Sequence, residues 1–550
     1  MMLSIIRIVI LLLLTVWCNK CLCDICKTCE CVTTDSGLIA YCRGKFRKDD
    51  ETLNYGFLTL DKHQVLHKLV HTGNSGTVLL TSQILNKIKN LKQMDLSGNL
   101  LVNVHEDVFK VLSSLEDLSY SNNCLSSFDI AILNANSPLL KLNLSHNEIN
   151  NLERSSQSVV TGLKMLDLSH NNLTDIYQDF LVALPQLEYL DLSFNKFSSL
   201  EANSLTYLQY LKILRINDNR FLSLDFQNLP LRLDELHAGG NLISVLLPKK
   251  MSIQVLNIEN NQISDLKDYL TLLKELRYLN VSGNSLSGFP TMTLKHLKSI
   301  DCSFNNLTTI PDSISTKNFP LLRTLNFSGN RLQDLSLQSE LKLDVFEAYH
   351  LDMIEEIHKD TFWKLTERAN GCINVTISNS KKLSVIAEDV FRHMNVCSLD
   401  LSNNHFTQFP LKLIDDSKSK NAHYLINLQG NPFVCNCSLQ WMLDDLVPYL
   451  YKMEPSLLEE LRCARPASLT NIRLVHWYQW RNKVFCDDLS EKLVFKFQKV
   501  TSQQAATFSF SKGMLVALSI TVTILAILII IAVILTRKMI IKKRRINRRF

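Results

Sequence analysis

Leucine and related apolar residues recur along the chain at a spacing that alternates with polar positions. In residues 163–176, LKMLDLSHNNLTDI, apolar residues occupy the first, fourth, sixth and eleventh positions, and asparagine the ninth. Side chains two residues apart share one face of a strand, so the fourth and sixth positions point together while the fifth and seventh face away. A helix would not separate them in this way. The pattern therefore predicts a short strand with two leucines facing a core.

The same pattern returns along most of the chain, and its asparagine marks the period. The interval is 24 residues through Asn99, Asn123, Asn147, Asn171, Asn195 and Asn219. The series continues less evenly through Asn241, Asn261, Asn284, Asn305, Asn330, Asn404 and Asn431. Two degenerate turns at about 343–391 and an imperfect first turn near 66–85 complete it. Residues 61–431 are expected to hold about sixteen turns of the leucine-rich repeat.

This array predicts an α/β leucine-rich-repeat solenoid, curved, with a parallel sheet on its concave side. The convex side is expected to be irregular or to hold short helical turns, closed by Phe109, Phe180 and Phe391. Each added turn extends one continuous core, so a chain of this length need not split into separate globular domains. The repeated asparagine is expected to point inward and bind backbone groups through its amide.

Both ends of the chain carry apolar segments. Residues 1–23 resemble a signal peptide: Arg7 precedes the short apolar run from Ile8 to Trp17, and a membrane anchor is the alternative. Residues 514–535 are uncharged and long enough for a transmembrane helix. The basic tail, 536–550, is expected in the cytosol. We therefore expect a single-pass plasma-membrane protein with an extracellular N-terminus and a stalk at 488–513.

The net charge of +6 reflects these terminal segments. Eight basic residues lie in the tail and two, Arg7 and Lys20, in the leader, so 24–512 holds 49 basic and 53 acidic residues and a charge of −4. Nucleic-acid binding depends on clustered cations, so no nucleic-acid partner is expected. The HEDVF segment at 105–109 lacks the second histidine of a zinc motif. We expect no enzyme activity, no cofactor and no metal.

Cysteines bracket the repeats. Three of the 15 precede residue 24, which leaves an even number, twelve, in the exported chain. One cluster lies in residues 24–60 and another in 432–487, and each allows three pairings. Zinc binding is the alternative for the front cluster, although an oxidising compartment favours disulfides. The clusters are formed by Cys26, Cys29, Cys31 and Cys42, and by Cys435, Cys437, Cys463 and Cys486.

These clusters resemble the cysteine caps of extracellular leucine-rich-repeat proteins, and residues 24–487 are similar to Toll-type receptor ectodomains and leucine-rich-repeat adhesion receptors. In such caps the first cysteine pairs with the third and the second with the fourth. The resemblance implies the pairs Cys26–Cys31, Cys29–Cys42, Cys435–Cys463 and Cys437–Cys486. Only fifteen residues follow Leu535, so we expect no cytosolic domain like that of the Toll receptors.

Four further cysteines lie within the repeats. Cys372 and Cys397 begin adjacent turns, where neighbouring strands lie about 4.8 Å apart, and are expected to form a fifth disulfide. Cys302 occupies a leucine position and is expected in the core. Cys124 has no evident partner.

A broad sheet favours binding over catalysis, and its outward positions follow from the repeat. The third, fifth and eighth positions of three adjacent turns combine apolar and charged side chains, which suits contact with a protein. The alternative is that the third-position side chains only pack along the sheet. The predicted ligand-binding residues are Met165, Asp167, His170, Tyr189, Asp191, Phe194, Ile213, Arg215 and Asp218.

Seven sequons predict N-glycosylation, and three of them fall in the fifth position, where a glycan would cover the sheet. This leaves residues 163–260 comparatively bare. The sequons are at Asn143, Asn172, Asn280, Asn306, Asn326, Asn374 and Asn436.

The sequence thus predicts a non-catalytic receptor, co-receptor or adhesion protein that binds an extracellular protein ligand or another cell-surface protein through its repeats. The alternative is an innate-immune or decoy receptor for microbial glycans or lipids. The sequence leaves the ligand and the oligomeric state open, a dimer included.

Overall fold

The computed structural model describes residues 26, 29–43, 65–73, 85–104, 110–133, 138–155, 159–160, 162–267, 269–368, 371–413, 424–478 and 484–486. The predicted signal peptide, stalk, transmembrane segment and tail lie outside these residues, as does Phe109. Within the described ranges, no helix has the length and apolar character needed to cross a membrane. The chain separates into two compact units, one ending at Asn431 and the other beginning at Pro432.

A sheet of 18 strands dominates the first unit. Its first two strands, Glu30–Thr34 and Gly37–Arg43, form an antiparallel hairpin, and Gly37–Arg43 pairs in parallel with Leu66–Thr72. From there the strands run parallel in chain order. They are Gln93–Asp95, Asp117–Ser119, Lys141–Asn143, Met165–Asp167, Tyr189–Asp191, Ile213–Arg215, Glu235–His237, Val255–Asn257, Tyr278–Asn280, Ser299–Asp301, Thr324–Asn326, Val345–Glu347, Ile373–Thr376, Val396–Asp400 and Leu425–Asn427.

The repeat pattern explains both the strands and their register. Leu166 and Leu168 are fully buried, and equivalent positions of neighbouring turns pair directly. The prediction that the repeated asparagine points inward is confirmed. Asn171, for example, donates from Nδ2 to the main-chain oxygens of Leu144 and Leu168, both at 3.0 Å, and its Oδ1 accepts from the Ile149 N–H at 2.9 Å. Each asparagine thus joins its own turn to the preceding one.

This asparagine ladder runs through about 14 turns, whereas the array was expected to hold about sixteen. Ser380 takes the ladder position in one turn, where its hydroxyl accepts from the Leu351 N–H. The turn containing Val345–Glu347 has Leu351 at that position instead, and the ladder position of the first turn lies outside the described residues. Strands of both these turns still join the sheet.

Across the core from the sheet, each turn is completed by short elements, as predicted. One α-helix, Gln178–Val182, buries Phe180, and Phe391 is buried without a helix. The 3-10 helices are Asn86–Ile88, Ile130–Ile132, Ser204–Tyr207, Phe226–Asn228 and Tyr269–Leu272. The sequence did not predict four small parallel sheets formed by Ser127–Asp129 with Asn151–Glu153, Ser223–Asp225 with Val245–Leu247, Leu341–Leu343 with Leu365–Glu367, and Glu356–Ile357 with Val385–Ile386.

Disulfides in the first unit join Cys26 to Cys31, Cys29 to Cys42 and Cys372 to Cys397. Cys29 and Cys42 thereby fasten the N-terminal hairpin. Cys302 is buried with a free thiol, and Cys124 is also free.

The second unit is small and closed by the disulfides Cys435–Cys463 and Cys437–Cys486. These are the pairs that the family resemblance implies. The unit contains a parallel pair of strands, Phe433–Val434 and Cys463–Arg465, the π-helix Met442–Leu446 and the α-helix Val447–Met453. Its 3-10 helices are Cys437–Leu439, Pro455–Leu458, Ala467–Leu469 and Leu474–Trp477.

Candidate ligand-binding face

The nine predicted binding residues lie in three adjacent turns of the solenoid. The third positions, Met165, Tyr189 and Ile213, pair in register, and so do the fifth positions, Asp167, Asp191 and Arg215. The eighth positions, His170, Phe194 and Asp218, follow directly after the strands. We call the surface formed by the third, fifth and eighth positions of the turns the sheet face. The structure therefore places all nine residues on the same side of the sheet.

Tyr189 lies at the centre of this group and contacts charged neighbours. Its hydroxyl donates to Asp191 Oδ2 at 2.9 Å, and the Arg215 guanidinium carbon lies 5.8 Å from the centre of its ring. Burial and the nearby Asp191 carboxylate raise the pKa of Tyr189, so the phenol stays protonated. The half-buried third-position residues thus pack along the sheet and still contribute to its surface.

The fifth-position carboxylates have a structural task that the sequence analysis missed. Oδ1 of Asp167 accepts from the Ser169 N–H, and Oδ1 of Asp191 accepts from the Ser193 N–H, both at 2.9 Å. Asn143 makes the same bond to Ser145. A short polar side chain that binds the backbone two residues on forms an Asx turn, which here ends the strand.

The expectation that Asp191 is an exposed binding residue is wrong. Its side chain is 7% exposed, because one oxygen binds the backbone and the other accepts from Tyr189. The seventh-position serines, which the strand alternation placed outside, are also buried at Ser169 and Ser193. The turn after the strand folds them against the core.

The eighth-position residues adopt a left-handed backbone and stack their rings. His146, His170 and Phe194 have φ of 53°, 53° and 54°. The ring centres of His146 and His170 lie 3.9 Å apart, and those of His170 and Phe194 lie 4.0 Å apart, with the planes nearly parallel. The sequence analysis did not single out His146, although the 24-residue period places it one turn before His170.

Asp218 occupies the eighth position of the next turn. The turn after that has glycines at its seventh and eighth positions, Gly239 and Gly240. Oδ1 of Asp218 occupies the space that a Cβ atom at Gly240 would need, and Glu259 lies similarly against Gly239. Partial burial and the Glu259 carboxylate raise the pKa of Asp218. Glu259 accepts from Asn280 Nδ2 at 2.7 Å and from Asn257 Nδ2 at 3.3 Å. The carboxylates of Asp218 and Glu259 thus both lie over the main chain of Gly239 and Gly240, where no side chain is present.

The predicted glycosylation sites differ in exposure. Asn326 is 6% exposed and its Nδ2 donates to Asp301, so a glycan there conflicts with the fold, and we withdraw this site. Asn143, Asn172 and Asn280 are half-buried. The remaining sites are exposed: Asn306, Asn374 and Asn436.

Sequence comparisons identify the repeats directly. Family models of the leucine-rich repeat match residues 137–197, 275–297 and 296–316. The chain is 29% identical to Toll-like receptor 10 of Bos taurus over 168 residues, which is 29% of this chain and 20% of that protein. It is 32% identical to oligodendrocyte-myelin glycoprotein of Homo sapiens over 214 residues, or 38% of this chain and 46% of that protein. The matches thus span less than half of either relative.

A solved leucine-rich-repeat protein of Leptospira interrogans shares the fold. It is 23% identical, with a TM-score of 0.50, and the match covers 72% of this chain and 92% of that chain. The chain is therefore a leucine-rich-repeat protein with similarity to a Toll-like receptor and to a myelin glycoprotein.

Proposed function

We propose that this leucine-rich-repeat protein is a non-catalytic cell-surface receptor, co-receptor or adhesion protein, and that its sheet face at residues 163–219 binds a protein ligand. One observation carries the proposal: three adjacent turns present aromatic, apolar and charged side chains in a single registered lattice. Clustered aromatic and arginine side chains are typical of the residues that dominate protein interfaces.

The similar proteins support a binding protein over an enzyme. Leucine-rich repeats are in general binding scaffolds, and the similar proteins carry the names of a receptor and a glycoprotein. The apolar segment 514–535 and the basic tail support a place at the plasma membrane.

Screening of the soluble segment 24–512 against extracellular and cell-surface proteins tests the proposal. The matched variant combines Tyr189→Ala, Phe194→Asn and Arg215→Ala. It spares Asp167 and Asp191, because these carboxylates hold the backbone. We expect a saturable protein partner whose affinity falls at least about tenfold in the variant. Unchanged affinity in a folded variant would rule out this face.

The same screen separates the alternative function. Purified microbial glycans and lipids are included as probes beside the proteins. Saturable binding of one of these, with no protein partner, would replace the adhesion or co-receptor role with microbial recognition.

A further inference from the structure

We propose that Phe194 and Asp218 bind an arginine side chain of the protein ligand. The guanidinium stacks on the exposed Phe194 ring and donates hydrogen bonds to the Asp218 carboxylate. This inference rests on the proposed function and names the ligand chemistry that the sheet face selects.

The ring stack ends where a further flat group would fit. His146, His170 and Phe194 place one ring per turn at spacings of 3.9 and 4.0 Å. The next turn supplies Asp218 instead of a ring, so within the described residues the stack stops at Phe194. Phe194 remains 47% exposed. A planar group from a ligand can therefore extend the stack by one step.

Asp218 occupies the eighth position of the next turn, so its carboxylate lies beside this step. Its Oδ1 lies in the space left by the missing side chain of Gly240, on the side of the following turn. No described residue donates a hydrogen bond to this carboxylate. Asp167 and Asp191, by contrast, are bound to their own backbone. Asp218 is therefore the carboxylate of the predicted site that is available to a ligand.

The surrounding charge also favours a cation. Glu259, beyond Asp218, accepts from the neutral amides of Asn257 and Asn280, and no basic side chain among the described residues forms an ion pair with it. The Arg215 guanidinium, in the same turn as Asp218, lies against the Tyr189 ring at 5.8 Å. It makes no hydrogen bond to Asp218 in the structure. The negative charge near Gly240 is thus left for a partner.

Arginine fits this arrangement better than other cations do. Its guanidinium is planar, stacks on aromatic rings and donates through a fork to a carboxylate, whereas the lysine ammonium is a compact charge with strong hydration. Phe194 offers the ring face and Asp218 the carboxylate at adjacent turns. A lysine side chain could use only the second of these efficiently.

Peptide binding to the full-length chain, purified in detergent and immobilised, tests the assignment. The probes are three fluorescent peptides of one glycine–serine sequence whose central residue is arginine, citrulline or lysine. Citrulline keeps the shape of arginine without its charge. We expect the arginine peptide to bind at least about tenfold more tightly than the citrulline peptide, with the lysine peptide between them.

Four variants locate the effect. Phe194→Asn and Asp218→Asn should remove the preference for arginine, and both should fold because asparagine occupies the eighth position at Asn122 and Asn260 with the same left-handed backbone. Phe304→Asn is the matched aromatic control, since Phe304 is an eighth-position residue that is 50% exposed. Glu347→Gln is the charge control. Both controls should retain the preference.

Three results would overturn the assignment: equal binding of arginine and citrulline peptides to the wild-type chain, equal binding of arginine and lysine peptides, or an arginine preference that survives in Phe194→Asn and Asp218→Asn. A protein partner that depends on Tyr189 and Arg215 without any arginine preference would leave the proposed function standing and remove this inference alone. An arginine preference without such a partner would contradict the proposed function instead.

Discussion

Single residues at the eighth position show where the protein accepts a conformational cost. A left-handed backbone favours glycine and asparagine, and several turns place them there, including Gly240 and Asn260. The same backbone recurs at the eighth position of every described turn, so it belongs to the repeat and does not by itself mark a site. His146, His170 and Phe194 differ because their rings stack across three adjacent turns. This stack supports a binding role for this part of the sheet face.

Acid should weaken the binding of the arginine peptide. The Asp218 pKa is raised by burial and by Glu259, so this carboxylate loses its charge at a higher pH than an ordinary aspartate. The pKa of His170 is lowered by burial and by His146, against the opposing charges of Asp167, Asp191 and Asp218. His170 is thus neutral at pH 7.4 and adds a repelling positive charge only at low pH. Both changes act against a cationic ligand.

The measurement is a titration of peptide affinity from pH 7.4 down to about 4. We expect a continuous loss of affinity in the wild-type chain and a much flatter profile in Asp218→Asn. An affinity for the arginine peptide that rises with acid would contradict the assigned charges.

At the scale of elements, each turn is held to the next by the asparagine ladder and by the two leucines of its strand. The strand of the first turn, Leu66–Thr72, departs from this rule at the sixth position, where His71 replaces a leucine and is buried. Burial lowers the pKa of His71 to about 4. The strand therefore carries a neutral histidine inside the core, next to the N-terminal hairpin.

His71→Leu should make the first unit more resistant to acid. Above pH about 6.5 the histidine is neutral in both states. As the pH falls towards 4, the unfolded chain takes up the proton and the folded chain does not, so the wild-type protein loses up to roughly 3 kcal/mol of stability. Urea unfolding at pH 7 and pH 4.5 should show a smaller loss in His71→Leu. The control is His405→Leu, at an exposed histidine, and an equal loss in wild type and His71→Leu would contradict this account.

The strands and the ladder could be predicted because each turn repeats the same physical requirement. Leu166, Leu168 and Asn171 follow from a period that is visible in the sequence alone. The burial of Asp191 could not be predicted in this way, because a carboxylate on an outward position gives no sign that it will bind the backbone of Ser193. The ring stack could not be predicted from the sequence either, because it depends on the left-handed turn that follows each strand.

The small additional sheets were missed for another reason. Ser127–Asp129 and Asn151–Glu153 contain three residues each, with Phe128 and Leu152 as their only buried side chains. One apolar residue between polar ones has no periodicity to detect. Such strands form because the ladder already brings successive turns into register.

At the scale of the whole molecule, the solenoid unit carries the proposed recognition surface, and the segments at both ends carry the predicted localisation. We expect the full chain, expressed in a secretory cell, to stay in the membrane fraction after alkaline extraction. A chain ending at residue 512 should be secreted, because it lacks the apolar segment 514–535. Release of the full chain, or membrane retention of the shortened one, would contradict a single-pass protein.

The sheet face itself can be tested with one substitution that leaves the fold untouched. Asp167→Asn creates the sequon N-L-S at residues 167–169 and preserves the bond to the Ser169 N–H, as Asn143 does in the preceding turn. A glycan at this position would cover the proposed binding surface. Asp400→Asn creates the same sequon at the same position of a distant turn, where Asp400 makes an equivalent bond.

The most direct test is the affinity of the captured protein partner for these glycosylated forms. We predict that glycosylated Asp167→Asn loses binding at least about tenfold, whereas glycosylated Asp400→Asn and the unglycosylated double variant Asp167→Asn, Ser169→Ala retain it. Full binding to the Asp167→Asn protein with its glycan in place would show that the ligand binds elsewhere.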